Sequence, residues 1–343
     1  MGWTQTLVDV PTLVYLTVIA ALIFDFINGF HDTANAIATV ISTRVLSPRS
    51  AIVMAALLNF AGALVTTGVA KTVAGGIVDA SGVTTTVVLS AVIGAIIWNL
   101  ITWYYGIPSS SSHALFGGLC GAALAYSGTS MLLWDGLMKK VLIPIVASPV
   151  GGFLIGLCVM KLIYILFANT HPGRVGNIFR TLQIFSAGFM AFSHGSNDSQ
   201  KSMGVITMAL VSANLLHGAD PAKPEIPLWV ILACATMMAL GTSVGGWRII
   251  KTMGHKIMRL EPVHGFAAET SAGLVIQIAD FFHAPISTTQ VISGAIFGVG
   301  SSKRLSAVRW GVAEQMFTAW LLTLPAAGAM AAVSFWLLSA LGW

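Results

Sequence analysis

Residues 24–40 read Phe24-Asp-Phe-Ile-Asn-Gly-Phe-His-Asp-Thr-Ala-Asn-Ala-Ile-Ala-Thr-Val40, an apolar run interrupted by acids and amides at a helical interval. Asp25, Asn28, Asp32 and Asn35 are spaced i, i+3, i+7 and i+10, so on a helix they fall within an arc of roughly 80° on one face. Four polar groups, two of them carboxylates, then line one side of a segment whose other sides are apolar. The apolar stretch from Leu13 to Phe26 lacks a basic start and a small-residue cleavage site, and it continues straight into the stripe. It reads as a retained membrane span rather than a leader.

The remainder of the chain supplies a setting for such a helix. Of the 343 residues, 56% are hydrophobic and only 8% charged, and the mean hydropathy is +0.85. A soluble domain carries about 25% charged residues. This chain cannot cover its exterior with polar groups, so lipid must do so, and the expected class is an all-α polytopic membrane protein. A span takes about 20 apolar residues. Candidates run near 12–41, 51–70, 84–106, 107–126, 138–166, 181–212, 227–247, 263–283, 285–300 and 311–341, which makes ten crossings or re-entrant passes. The runs near 107–126 and 285–300 are short and begin with proline and hydroxyl residues, like arms of hairpins whose turns sit inside the membrane. Several other runs are long and contain polar clusters, which predicts broken helices, with Gly29 and Gly195 easing the breaks. Cys120, Cys158 and Cys234 lie in apolar segments and read as buried free thiols.

The net charge of +5 does not point to nucleic acid, because the basic residues sit mainly in short loops. Twelve of the 17 basic residues fall in one alternating set: Arg44 and Arg49, Lys161 to Arg180, Arg248 to Arg259, and Lys303 to Arg309. The other loops hold Lys71, Lys139, Lys140 and Lys223 with Asp79, Asp135, Asp220 and Glu225. The positive-inside rule puts the first set in the cytoplasm and both termini outside. Trp3, Trp134, Trp229, Trp247, Trp310 and Trp343 stand near span ends as interfacial anchors. The 248–259 loop has the charge to meet anionic lipid or a soluble cytoplasmic regulator, although orientation alone accounts for it. Oligomeric state is not encoded legibly; a homodimer is compatible with the chain.

The chain repeats itself. His31-Asp32-Thr33 aligns with Asn197-Asp198-Ser199 at an offset of 166, and Pro108-Ser-Ser-Ser-Ser-His with Pro285-Ile-Ser-Thr-Thr-Gln at an offset of 177. Gly117 and Gly121 fall on Gly294 and Gly298, the small-xxx-small spacing that lets helices pack closely in lipid. The expected halves are 1–168 and 169–343. Each holds five segments, an odd number, so the second enters the membrane from the opposite side. An inverted-topology repeat of this kind places its substrate near the midplane, where corresponding polar segments meet.

Each charged residue at the bilayer centre costs at least about 2.5–3.5 kcal/mol. The stripe persists most easily with a cation, a proton or a hydrogen-bond network as compensation; a water-filled cavity wall is the plainer reading. In the second half His194, Asn197, Asp198 and Lys201 share one face, and Lys201 either pairs with a carboxylate or senses an anion. Pro108 to Ser112 and Pro285 to Thr289 read as helix starts, whose free N–H groups and hydroxyls suit a tetrahedral oxyanion. An anion beside Asp32 and Asp198 is repelled unless positive charge arrives with it, so cation and anion should favour each other's binding.

These residues carry a resemblance. The 24–40 segment, His194-Gly-Ser-Asn-Asp-Ser-Gln-Lys-Ser-Met-Gly204, the two proline–hydroxyl turns and Pro262-Val-His-Gly-Phe-Ala-Ala-Glu-Thr270 resemble the inorganic phosphate transporter (PiT) family over nearly the whole chain. The resemblance implies uptake of inorganic phosphate coupled to Na⁺ or H⁺, with no catalytic residues and no organic cofactor. It implies phosphate contacts at Ser110, Ser111, Ser112, Ser287, Thr288 and Thr289. It implies cation-binding or coupling roles for Asp32 and Asp198, with Asn28, Asn35 and Asn197 nearby, and a role for Glu269. Na⁺ would sit at Asp32, Asn35, Asn197 and Asp198; Asp25 joins this group from the stripe. Gln290 stands where many relatives have histidine, and Asp198-Ser-Gln-Lys replaces an Asp-Val-Ala-Asn type, so the two cation sites need not be equivalent.

Some members of that family are assigned to sulfate, which stays open as the cargo. An intramembrane hydrolase would need Ser112, His113 and Asp32 in line, yet neither a Gly-x-Ser-x-Gly elbow nor a His-Glu-x-x-His motif is present. A passive anion channel is the third alternative. Asp280 and Glu314 read as structural or interfacial carboxylates, His113 as a neighbour of the site, and His31, off the stripe, as a packing residue.

Overall fold

The polar stripe lies on an unbroken helix. In the computed structural model, which describes residues 12–79, 82–216 and 224–343, α1 (Thr12–Ser42) runs 31 residues straight through Gly29. The second polar cluster lies on a helix of 41 residues (Pro172–Ser212) that runs through Gly195. The expected breaks at these glycines are therefore corrected. Their missing side chains admit a neighbouring backbone instead: a Cβ on Gly29 would lie 2.5 Å from Met238 O, and one on Gly195 2.2 Å from Asn59 O. Trp3, Asp220 and Lys223 lie outside the described residues.

The breaks fall in the next helix of each half. α2 (Pro48–Ala63) turns by 69° into α3 (Gly68–Gly75). Val65, Thr66 and Thr67 are β-branched and poor helix formers, and that is where the chain bends. α4 (Thr85–Tyr105), α5 (Ser111–Ser127) and α6 (Trp134–Leu166) complete the first series. The 41-residue helix is α7, followed by α8 (Leu228–Val244), which turns by 60° at Gly245-Gly246 into α9 (Trp247–Lys256). α10 (Pro262–Phe281), α11 (Thr288–Ser301) and α12 (Trp310–Ala340) close the chain. The runs near 51–70 and 227–247 are thus bent pairs rather than straight spans. Among the described residues, four helices, α1, α4, α6 and α12, are long and apolar enough to cross a bilayer, or up to six segments if each bent pair is one span. α5 and α11 are short, at 17 and 14 residues.

The exterior is greasy. Leu57 on α2, Val146 on α6 and Leu321 on α12 are each more than half exposed, a surface that lipid must cover. Cys158 is exposed on this face, so of the three free cysteines only Cys234 is fully buried, which corrects the expectation of three buried thiols. Inside, α1 and α7 each pass through two apolar clusters. α1 gives Phe24 to one and Ile37 to the other, while α7 gives Met203 and Met190. The polar stretches lie between these contributions on both helices.

Equivalent details recur along the two series. α5 packs on α12 where Gly121 meets Gly328 O, and α11 packs on α6 where Gly298 meets Phe153 O, the paired small-residue contacts that the sequence predicts. Left-handed residues end corresponding helices, Arg44 (φ 56°) with Asn214 (φ 55°) and Gly106 (φ 65°) with His283 (φ 54°). Thr72 Oγ1 donates to His283 O at 2.9 Å, and Thr252 Oγ1 to Gly106 O at 2.9 Å.

A Cβ on Gly298 would lie 2.0 Å from Phe153 O. Gly298→Ala should therefore cost about 1–3 kcal/mol through overpacking, seen as a lower melting temperature of the purified protein in detergent. Gly151→Ala, whose Cβ would meet nothing within 4 Å, should not lower it.

Candidate functional site

Because α1 and α7 lie against each other at their polar stretches, Asp32 and Asp198 come together. Each of Asp32, His194 and Asp198 offers a ligand-type atom, and these atoms lie within 4.8 Å of one another in the buried interior. His194 sits one turn before Asp198. Its Nε2 is 3.2 Å from Asp198 Oδ2, off the hydrogen-bonding direction, and its Nδ1 lies 3.0 Å from Asn59 Oδ1. His31 is not a packing residue. Its Nδ1 lies 2.6 Å from Asp32 Oδ1 and its Nε2 3.1 Å from Thr102 Oγ1, 71 residues away in the chain. Lys201 donates to the Asp198 carboxylate, to Ser112 Oγ at 2.6 Å and to Ile286 O at 2.8 Å.

The two proline–hydroxyl turns meet at this cluster. Ser110 Oγ accepts from His113 N at 3.1 Å and Ser287 Oγ from Gln290 N at 3.3 Å, so both residues are the caps of α5 and α11. Ser112 Oγ donates to Ile286 O at 3.2 Å, from one turn to the other, and His113 Nδ1 lies 3.4 Å from Gln290 Nε2. Thr288 Oγ1 donates to Asp198 Oδ2 at 3.0 Å and accepts from Asn35 Nδ2 at 3.2 Å. The same amide reaches Thr289 Oγ1 at 2.9 Å. Ser111 Oγ is buried without a hydrogen-bond partner. All six hydroxyl residues expected at the anion thus occupy two facing helix starts, and Ser112 and His113 turn to different partners, which disfavours hydrolase chemistry.

Other expected residues lie apart from this centre. Asp25 accepts from Ser202 Oγ at 2.7 Å, two turns and about 10 Å along the helix from Asp32. Glu269 accepts from Thr39, from Gln183 Nε2 at 3.1 Å and from Ser186 Oγ at 2.5 Å, tying α10 to α1 and α7 more than three turns along α7 from Asp198. Asp280 is the structural rather than the interfacial carboxylate: it is buried and accepts from Ser196 Oγ at 2.7 Å and Asn197 Nδ2 at 2.5 Å. Nothing local marks Asp280, whose partners Ser196 and Asn197 lie 84 and 83 residues away, or the second partner of His31, Thr102, 71 residues away; His194 was legible by its i, i+4 spacing to Asp198.

The donor set suits a hard cation. Hard cations take oxygen ligands, and the two carboxylates are accompanied by the buried oxygens Asn28 Oδ1, Asn35 Oδ1 and Asn197 Oδ1, which have no hydrogen-bond partner. Buried polar atoms left in this way call for an ion or water to satisfy them.

The model of the phosphate transporter family matches residues 28–172 and 167–331. The chain is 48% identical over 329 residues to a probable low-affinity inorganic phosphate transporter of Bacillus subtilis (strain 168), covering 95% of this chain and 97% of that protein. A protein of the same description from Rhizobium meliloti (strain 1021) is 46% identical, covering 95% and 96%. Among solved structures, the sodium-dependent phosphate transporter superposes with a TM-score of 0.89 at 27% identity, covering 96% of this chain and 100% of that one.

Thr288→Val removes the hydroxyl that donates to Asp198 Oδ2, leaving that buried oxygen without its hydrogen bond at a cost of about 1–3 kcal/mol, while Asn35 keeps Thr289. It should lower the melting temperature in detergent more than Thr289→Val, after which Asn35 still has Thr288.

Proposed function

Since the chain belongs to the phosphate transporter family, we propose that it imports inorganic phosphate across the cytoplasmic membrane as a cation-coupled symporter working by alternating access. One observation carries the reading: two helix starts, 177 residues apart in the chain, meet beside two buried carboxylates. The N–H groups and hydroxyls at Ser110–Ser112 and Ser287–Thr289 hold the phosphate, favoured by the positive ends of α5 and α11. Asp32 and Asn35 hold the coupling cation, with Asn197, Asp198 and His194 beside them.

Electrostatics then gives the coupling. At about 4 Å, two unit charges interact by roughly 4 kcal/mol at an effective dielectric of 20, so an anion beside the carboxylates binds well only with a cation. The name of the structural relative, sodium-dependent, favours Na⁺ over H⁺. Phosphate is favoured over sulfate because it carries its own proton, which a neighbouring carboxylate can accept. The halves 1–168 and 169–343 lie inverted to one another, with the basic loops in the cytoplasm and both termini outside. Two cavities support alternating access. One of about 570 Å³ lies beside Lys71, Thr72, Lys140 and His283, and one of about 670 Å³ beside Gly106, Thr252, Lys256 and Gln315, at corresponding places in the two halves.

In proteoliposomes, an inward Na⁺ gradient should drive uphill phosphate accumulation, which a channel cannot do, and excess sulfate should not compete. Asp32→Asn should lower coupled uptake tenfold or more while the protein stays folded, since losing even about 1.4 kcal/mol of cation affinity costs a factor of ten. Accumulation without any cation gradient would overturn the symport reading.

A further inference from the structure

Among the described residues, Lys201 is the only lysine or arginine that is buried, at 1% exposure. An ammonium has three N–H donors and no acceptor. Here its three partners are the Asp198 carboxylate, Ser112 Oγ and Ile286 O. No donor is left over for an anion, so Lys201 acts as a charge fixed among oxygens rather than as a phosphate ligand.

Its place in the repeat says which charge it replaces. The offset that puts Asp32 on Asp198 puts Asn35 on Lys201, and the offset that puts Pro108 on Pro285 puts Ser112 on Thr289. Asn35 donates to Thr289 Oγ1 as Lys201 donates to Ser112 Oγ, so the two positions are built alike, each reaching the hairpin of the other half. They differ at one group. At the first, the Asn35 side chain leaves a buried oxygen, Oδ1, without a partner, an acceptor that a free cation can use. At the second, an ammonium already stands against the carboxylate. A cation entering there would have to displace it from all three oxygens and leave a charged lysine buried without its pair, which is strongly unfavourable.

We propose that the Lys201 ammonium is a tethered cation that permanently fills the second of the two equivalent carboxylate positions, leaving the Asp32 position as the only one that exchanges its cation with solution. The inference rests on the symport reading above and fixes its stoichiometry. Of the two carboxylate positions one is filled by the lysine and one stays open, so one exchangeable cation moves with each phosphate through this centre. Lys201→Asn, which copies Asn35, should open a second exchangeable position.

Two readouts test this in the full chain: phosphate uptake into proteoliposomes as a function of Na⁺, with the ratio of Na⁺ to phosphate carried, and Na⁺-dependent thermal stabilisation of the detergent-purified protein without phosphate. The wild type should show a Hill coefficient near one for Na⁺, and Lys201→Asn a coefficient approaching two, with one further Na⁺ carried per phosphate. Its melting temperature should also rise more steeply with Na⁺. A wild-type coefficient near two, or an unchanged ratio in Lys201→Asn, overturns the proposal and leaves symport standing. If Lys201→Asn does not fold, the wild-type coefficient still decides. Wild-type uptake that depends on no cation overturns the symport reading and this inference with it.

Discussion

Everything in this molecule is arranged around two carboxylates held close together where there is little water to screen them. Asp32 and Asp198 lie within one 4.8 Å cluster, on helices that run unbroken through the site. Like charges so placed repel by several kcal/mol at the dielectric of a protein interior, a repulsion that positive charge nearby offsets. The surroundings supply it unevenly. Lys201 is bound to Asp198, while Asp32 has only the imidazole of His31 at 2.6 Å. The deficit lies on the Asp32 side, and a mobile cation can make it good.

Rigid packing keeps the pair in register. Gly29 brings α1 against the backbone of α8, and Gly195 brings α7 against that of α2. Polar groups on rigid helices are placed more accurately than groups on loops, and the hairpin hydroxyls are hung on them. Asn35 holds Thr288 and Thr289, Asp198 holds Thr288, and Lys201 holds Ser112. The hydroxyls proposed to hold the anion are therefore positioned by the residues proposed to attract the cation, so that in this proposal occupancy of one would be felt by the other through a single side chain.

Much of this was legible in the sequence. The 3.6-residue period fixed the stripe on one face of α1, and proline followed by hydroxyl residues marked both helix starts, because those signals are local. Gly29 and Gly195 were misread as breaks. A glycine that frees a backbone and one that admits a neighbouring backbone look the same in a sequence, and only the approach of α2 and α8 tells them apart. The true bends, at 64–67 and at Gly245-Gly246, lie in stretches with no proline to announce them. His31 and Asp280 escaped because their partners, Thr102, Ser196 and Asn197, are distant in the chain. The contrast between Asn35 and Lys201 was visible as two letters, but its meaning depends on which oxygens surround each side chain.

The threonines on the two short arms have a mechanical consequence. Thr72 on α3 and Thr252 on α9 each grip a carbonyl two residues ahead of a hairpin proline, His283 O before Pro285 and Gly106 O before Pro108. The shorter arm, α3, has eight residues and is about 12 Å long, so a tilt of either arm would pull on the proline turn that it grips. Each grip is one hydrogen bond, worth about 1 kcal/mol net. A contact of that strength would transmit a small displacement and give way to a larger one, so each arm is joined to its turn as through a clutch.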